Sequence, residues 1–108
     1  MIDINDLQTI EIFFSNNLET PLFPILSDLY YKNGDYERSK KVCEIGLKSN
    51  PNSSVAYYIL AKIALIHERL NKAEKYLEKS INCNEINLSS KKLLFVIQKE
   101  LNRSNRRI

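Results

Sequence analysis

The side chains able to do covalent or metal chemistry are few: one histidine, His67, and two cysteines, Cys43 and Cys83. A zinc site needs Cys or His ligands in pairs a few residues apart, and the two cysteines stand far apart in the chain. His67 has no Cys or Asp at ligand spacing and falls beside a predicted turn, so a surface histidine is the plainer reading. Cys43 falls among the apolar positions of a helical stripe, where a buried thiol is expected rather than a nucleophile. No glycine-rich phosphate loop is present. The sequence therefore predicts no catalytic residue, no cofactor and no metal, and a chain that is not an enzyme.

What the chain does hold is the chemistry of contact: tyrosine, leucine and isoleucine set next to lysine. Charge is uneven. Residues 1–50 carry 5 Lys/Arg against 8 Asp/Glu, and the remainder carries 11 against 5. Much of the basic excess lies in Lys91, Lys92, Lys99, Arg103, Arg106 and Arg107. Such a run can meet nucleic acid, but cations at the negative pole of a helix dipole explain it more simply, so nucleic acid is the disfavoured partner. No apolar run approaches the roughly 18 residues that a spanning helix needs. The acidic start MIDINDLQTIE lacks the basic and apolar regions of a signal peptide, so a cytoplasmic protein with reduced thiols is expected.

Helices must position these residues. Two glycines and three prolines are too few for a turn-rich β fold. Ile4, Leu7, Ile10, Phe14 and Leu18 recur at helical spacing and predict a helix over 4–17, capped by Asp3 or Asn5. Thr20-Pro21 predicts the next helix start, running to about residue 33 and closed by Gly34 as a left-handed cap. Asp35 caps a helix over about 36–48, ended by Asn50-Pro51. Further helices are predicted over about 54–67, over 72–82 with Asn71 as cap, and over 88–102 from Asn87 or Ser89. Lys75 and Glu78 can pair on the fifth. The tail SNRRI is expected to fray.

The second and third helices align with the fourth and fifth at a 34-residue offset. Phe23, Leu26, Ser27 and Tyr30 fall onto Tyr57, Leu60, Ala61 and Ala64; Ser39, Cys43 and Gly46 fall onto Ala73, Leu77 and Ser80. Phe23-x-x-Leu26-Ser27-x-x-Tyr30, then Ser39-x-x-x-Cys43, then Pro51, resembles the tetratricopeptide repeat signature. In the second unit Glu68 stands at the place of Gly34, and Glu85 at that of Pro51. The resemblance implies an all-α fold: a right-handed α-solenoid of antiparallel helix pairs, about six helices, in one domain over 1–108. Its parts would be a flanking helix at 4–17, repeats at 20–53 and 54–87, a capping helix at 88–102 and a basic tail at 103–108.

The same resemblance implies a non-catalytic interaction module. First helices of such repeats line a concave groove that holds a peptide or helix of a partner. Here those positions are Asp28, Tyr31 and Lys32; Tyr58, Lys62, Leu65 and Ile66; and Ser89, Lys92, Leu93, Val96 and Lys99. Aromatic and aliphatic anchors flanked by lysine suit an amphipathic or acidic segment. The family's carboxylate clamp for chaperone tails is not matched, because Pro24, Asp28 and Ile59 occupy its places. The alternatives are a homodimer or larger self-assembly that buries the groove and, less favoured, RNA binding. The sequence does not identify the partner.

Overall fold

The computed structural model describes residues 7–106, with side chains as far as residue 102. The expected caps Asp3 and Asn5, Ile4, and the last residues of the basic tail lie outside the described residues. Six helices are present among the described residues, and no strand: α1 Leu7–Asn16, α2 Phe23–Lys32, α3 Tyr36–Ser49, α4 Ser54–Ile66, α5 Leu70–Cys83 and α6 Leu88–Arg106. Contacts divide the chain into two compact units, residues 1–53 with α1 to α3 and residues 54–108 with α4 to α6.

In the first unit α1 packs on α2 and α2 on α3. The α2–α3 turn closes as the glycine predicts: Gly34 takes φ +80°, its N–H donates to the Tyr31 carbonyl at 3.0 Å, and Asp35 N–H donates to that of Tyr30 at 2.9 Å. These two bonds satisfy carbonyls that the helix end would otherwise leave open. The Asp35 carboxylate then accepts from Arg38 N–H at 3.2 Å and caps α3. Phe23, Leu26, Tyr30, Val42 and Cys43 form the buried apolar positions of the pair. Ser27 and Ser39 bind each other reciprocally, each hydroxyl donating to the other's carbonyl at 2.9 and 2.7 Å.

The start of α2 differs from expectation. Thr20 and Pro21 form a turn ahead of the helix, with Leu22 N–H donating to Thr20 Oγ1 at 3.1 Å, and the helix begins at Phe23. Pro24 is the reason. A helix beginning at Pro21 would close its first turn with an N–H of residue 24 on the Thr20 carbonyl, and proline has none. The Asn50 side-chain amide reaches that carbonyl instead, at 3.3 Å, and the Glu19 carbonyl at 3.1 Å.

In the second unit the same backbone bonds recur 34 residues on. Glu68 N–H donates to Leu65 and Arg69 N–H to Ala64, each at 2.9 Å. Glu68 adopts φ +58° without being glycine. The turn register also overrides the local capping signal: α5 starts at Leu70 with Arg69 at its cap, and Asn71 lies inside the first turn. Ala61, Ala64, Ala73, Leu77 and Ile97 make one core cluster shared by α4, α5 and α6. Here the reciprocal serine pair is Ser54 with Ser80, at 2.7 and 2.8 Å. The Asn87 amide donates to Ser54 Oγ at 2.9 Å, and its carbonyl oxygen accepts from Ser90 N–H at 3.0 Å, so Asn87 caps α6 while tying it to the pair. The helix runs on to Arg106, past the expected end at residue 102. The apolar run 93–97 is split by this packing. Ile97 is buried, Leu93 and Leu94 are half-buried, and Phe95 and Val96 are exposed.

Candidate interaction surface

The first helices of the hairpins are α2 and α4, and α6 stands in the same register. On α2, Asp28 and Lys32 are one turn apart and form an ion pair of 2.9 Å. Both ends reach solvent, so the pair contributes little to stability. Tyr31 is half-buried, its ring centroid 5.4 Å from that of Tyr36 on the other side of the turn. The three residues expected from this helix are therefore adjacent, with Asp28 and Lys32 neutralising each other.

On α4, Lys62 Nζ stands 4.9 Å from the Tyr58 ring centroid. An ammonium over a tyrosine face is favoured by the ring quadrupole, by about 0.5–1 kcal/mol at such a site. Tyr58 and Leu65 lean on the core cluster of the unit, and so does Leu93 of α6. That packing fixes all three. Ile66 remains 47% exposed and Val96 54% exposed, and Lys92 is exposed. Ser89 and Lys99 are exposed as well, so nine expected positions fall on the helices of one unit, three fixed by packing and six open or partly open.

Outside this surface, Lys79 Nζ lies 5.7 Å from the Tyr57 ring and Lys72 Nζ 6.0 Å from the Tyr76 ring. The two rings stack with centroids 6.5 Å apart. The ion pair expected between Lys75 and Glu78 does not form. The sequence shows Phe95 only as one of the apolar run 93–97, which cannot all face one neighbour, and not as a position of its own. It is a large residue at the place of Ser27 and Ala61, and that mismatch was the available signal.

The side chains first considered for chemistry are placed plainly. Cys43 is fully buried, its Sγ 2.9 Å from Ser27 Oγ. Burial pushes its thiol up to about 11, against the Ser27 hydrogen bond, which lowers it; a nucleophile needs the opposite shift. His67 is exposed at the end of α4, its Nδ1 3.2 Å from the Ile63 carbonyl oxygen.

The family model of the tetratricopeptide repeat matches residues 25–53 and 54–87, more than half of the chain. No curated protein matches the chain. The matched spans coincide with the two hairpins whose turn bonds repeat at a 34-residue offset. The chain therefore belongs to the tetratricopeptide repeat family, whose repeats generally mediate protein–protein interaction and scaffolding.

Proposed function

We propose that the protein is a non-catalytic adaptor that holds a peptide or helix of a partner protein on the exposed side of its first helices. The observation that carries this reading is the surface of the second unit. Tyr58, Leu65 and Leu93 are held against one core, with half-buried Lys62 over the Tyr58 ring, while Ile66, Lys92 and Val96 stand open around them. An apolar floor fixed by packing, with cations at its edge, loses little side-chain entropy on binding and favours a segment that is both apolar and acidic. Asp28, Tyr31 and Lys32 extend the proposal to the first unit. The test is affinity capture followed by quantitation of each captured protein against a Tyr58→Ala/Lys62→Ala variant of unchanged helicity. Specific loss of a partner supports the reading, and equal capture by both forms refutes it.

A second reading, self-association, is favoured by a different observation. Ile12, Phe13, Leu18, Leu22 and Ile25 of the first unit are all about half exposed, and exposed apolar groups of this kind mark interfaces. Light scattering over a concentration series separates the two readings. Phe13→Glu with Ile25→Glu, both in that apolar set and outside the groove, is the probe: it lowers the mass if the first unit self-associates and leaves partner capture unchanged.

A further inference from the structure

The hairpin-facing positions of α6 break the pattern set by α2 and α4. Phe23 and Tyr57 are followed at the same place by Lys91, Ser27 and Ala61 by Phe95, and Tyr30 and Ala64 by Gln98. Ser27 and Ala61 are fully buried where the paired helices approach closely, whereas Phe95 is 60% exposed. A helix packed on α6 as α3 packs on α2 would meet a phenyl ring where its backbone should lie. This face, from Leu88 through Lys91 and Phe95 to Lys99, is shaped for a different occupant.

Its chemistry narrows the choice. Lys99 Nζ stands 4.7 Å from the Phe95 ring centroid. Leu88 is exposed on the same side, and so is Lys91. Neither lysine has a carboxylate partner among the described residues. We propose that this face docks an acidic amphipathic helix of a partner protein. Carboxylates of that helix meet Lys91 and Lys99, and small aliphatic side chains cover Phe95 and Leu88.

Three other occupants fit less well. Entry of Phe95 into a lipid surface would draw the ammonium above it toward hydrocarbon. That ammonium also occupies a ring face on which a nucleic-acid base would stack. A second copy related by a two-fold axis would set Lys91 and Lys99 against their own equivalents. In the first unit Glu11 accepts from the Tyr30 hydroxyl, Asp28 pairs with Lys32, and Asp35 caps α3 and pairs with Arg38; Glu19, Glu37 and Glu44 stay exposed, the last two with Lys40 and Lys41 between them on α3. Of its residues only Lys99 is also expected at the groove; Leu88, Lys91 and Phe95 belong to this face alone, so the Phe95 variant and the Tyr58/Lys62 variant tell the two surfaces apart.

The test uses the full chain and a synthetic helix carrying Leu and Glu on one face, labelled for fluorescence anisotropy. A Gln-for-Glu version of the helix, phosphatidylserine vesicles and poly(U) RNA serve as parallel probes. The acidic helix binds, with an affinity that falls steeply as salt rises, and the Gln helix binds about tenfold more weakly or worse. Lys91→Glu with Lys99→Glu abolishes binding at unchanged circular dichroism, Phe95→Ser weakens it, and Tyr58→Ala/Lys62→Ala leaves it intact. Equal affinity for the two helices, preference for vesicles or RNA, no binding, or loss of binding in the Tyr58/Lys62 variant each overturns the proposal.

Discussion

Gly46 lies against the face of Phe23: a Cβ at residue 46 would stand 2.1 Å from Phe23 Cγ. Phe23 is only 1% exposed, so its ring has nowhere to retreat. The pair sets how closely α3 can approach α2. Gly46→Ala gains about 1 kcal/mol of helix propensity but overpacks the contact. The expected net effect is a loss of ~1–3 kcal/mol in chemical denaturation, partly restored by Phe23→Leu. An unchanged midpoint would contradict the packing.

The two hairpin turns predict opposite outcomes for changes at equivalent residues. Gly34 has positive φ with open space around its missing Cβ, so Gly34→Val costs only backbone strain, about 1–2 kcal/mol. Glu68 bears that strain already. Glu68→Gly relieves it, offset in part by the greater freedom of unfolded glycine, and stabilises by up to about 1 kcal/mol. Melting curves of the two variants check both signs.

Those turns also show how far the sequence could be read. The hairpins were legible because apolar residues recur at helical spacing and then again at a 34-residue offset. Boundaries were less so. The start of α5 followed the tertiary turn at Glu68 and Arg69 rather than the capping preference of Asn71. The missing N–H of Pro24, not the capping hydroxyl of Thr20, set the start of α2. The set Ser54, Ser80, Asn87 and Ser90 was invisible, since its members are joined by packing of three helices and by no local spacing. At the candidate surface, helix register grouped the residues on α2, α4 and α6. It could not tell that Leu65 and Leu93 brace the core while Ile66 and Val96 stay open.

The serine pairs make a stability prediction. Ser27 and Ser39 occupy the places that Ala61 and Ala73 hold in the second unit. Replacing both serines by alanine removes the two hydroxyl donors, while both acceptor carbonyls stay within their helices, so the cost is small, within about 1 kcal/mol. Ser54→Ala with Ser80→Ala removes two partners of the Asn87 amide as well. That costs more, about 1–3 kcal/mol, because a part-buried amide loses its acceptors. Urea titration of the two double variants decides.

Thiol chemistry and alkaline stability test the core. Cys43 is buried and Cys83 half-buried, so Cys83 reacts with a disulfide reagent in the native state and Cys43 only after unfolding. Burial raises the Cys43 thiol from 9.0 to about 11. Burial, with the hydrogen bond to Glu11, raises the Tyr30 phenol from 10.0 to about 12. Both groups hold their protons more tightly when folded. Their contribution is complete below pH 9.0 and is lost as pH rises through about 11 and 12. Stability should fall over that window, and fall less in a Cys43→Ala/Tyr30→Phe variant. Equal slopes would contradict the assignment.

The central claim is that partners are held by the first helices rather than the second. Site-specific photocrosslinking tests it most directly, with a photoreactive residue placed in turn at Lys62, Ile66 and Val96, and at the exposed Lys48 and Glu78 of α3 and α5. The account predicts one and the same partner adduct from the first three positions and none from the last two. An adduct confined to Lys48 and Glu78 would contradict it.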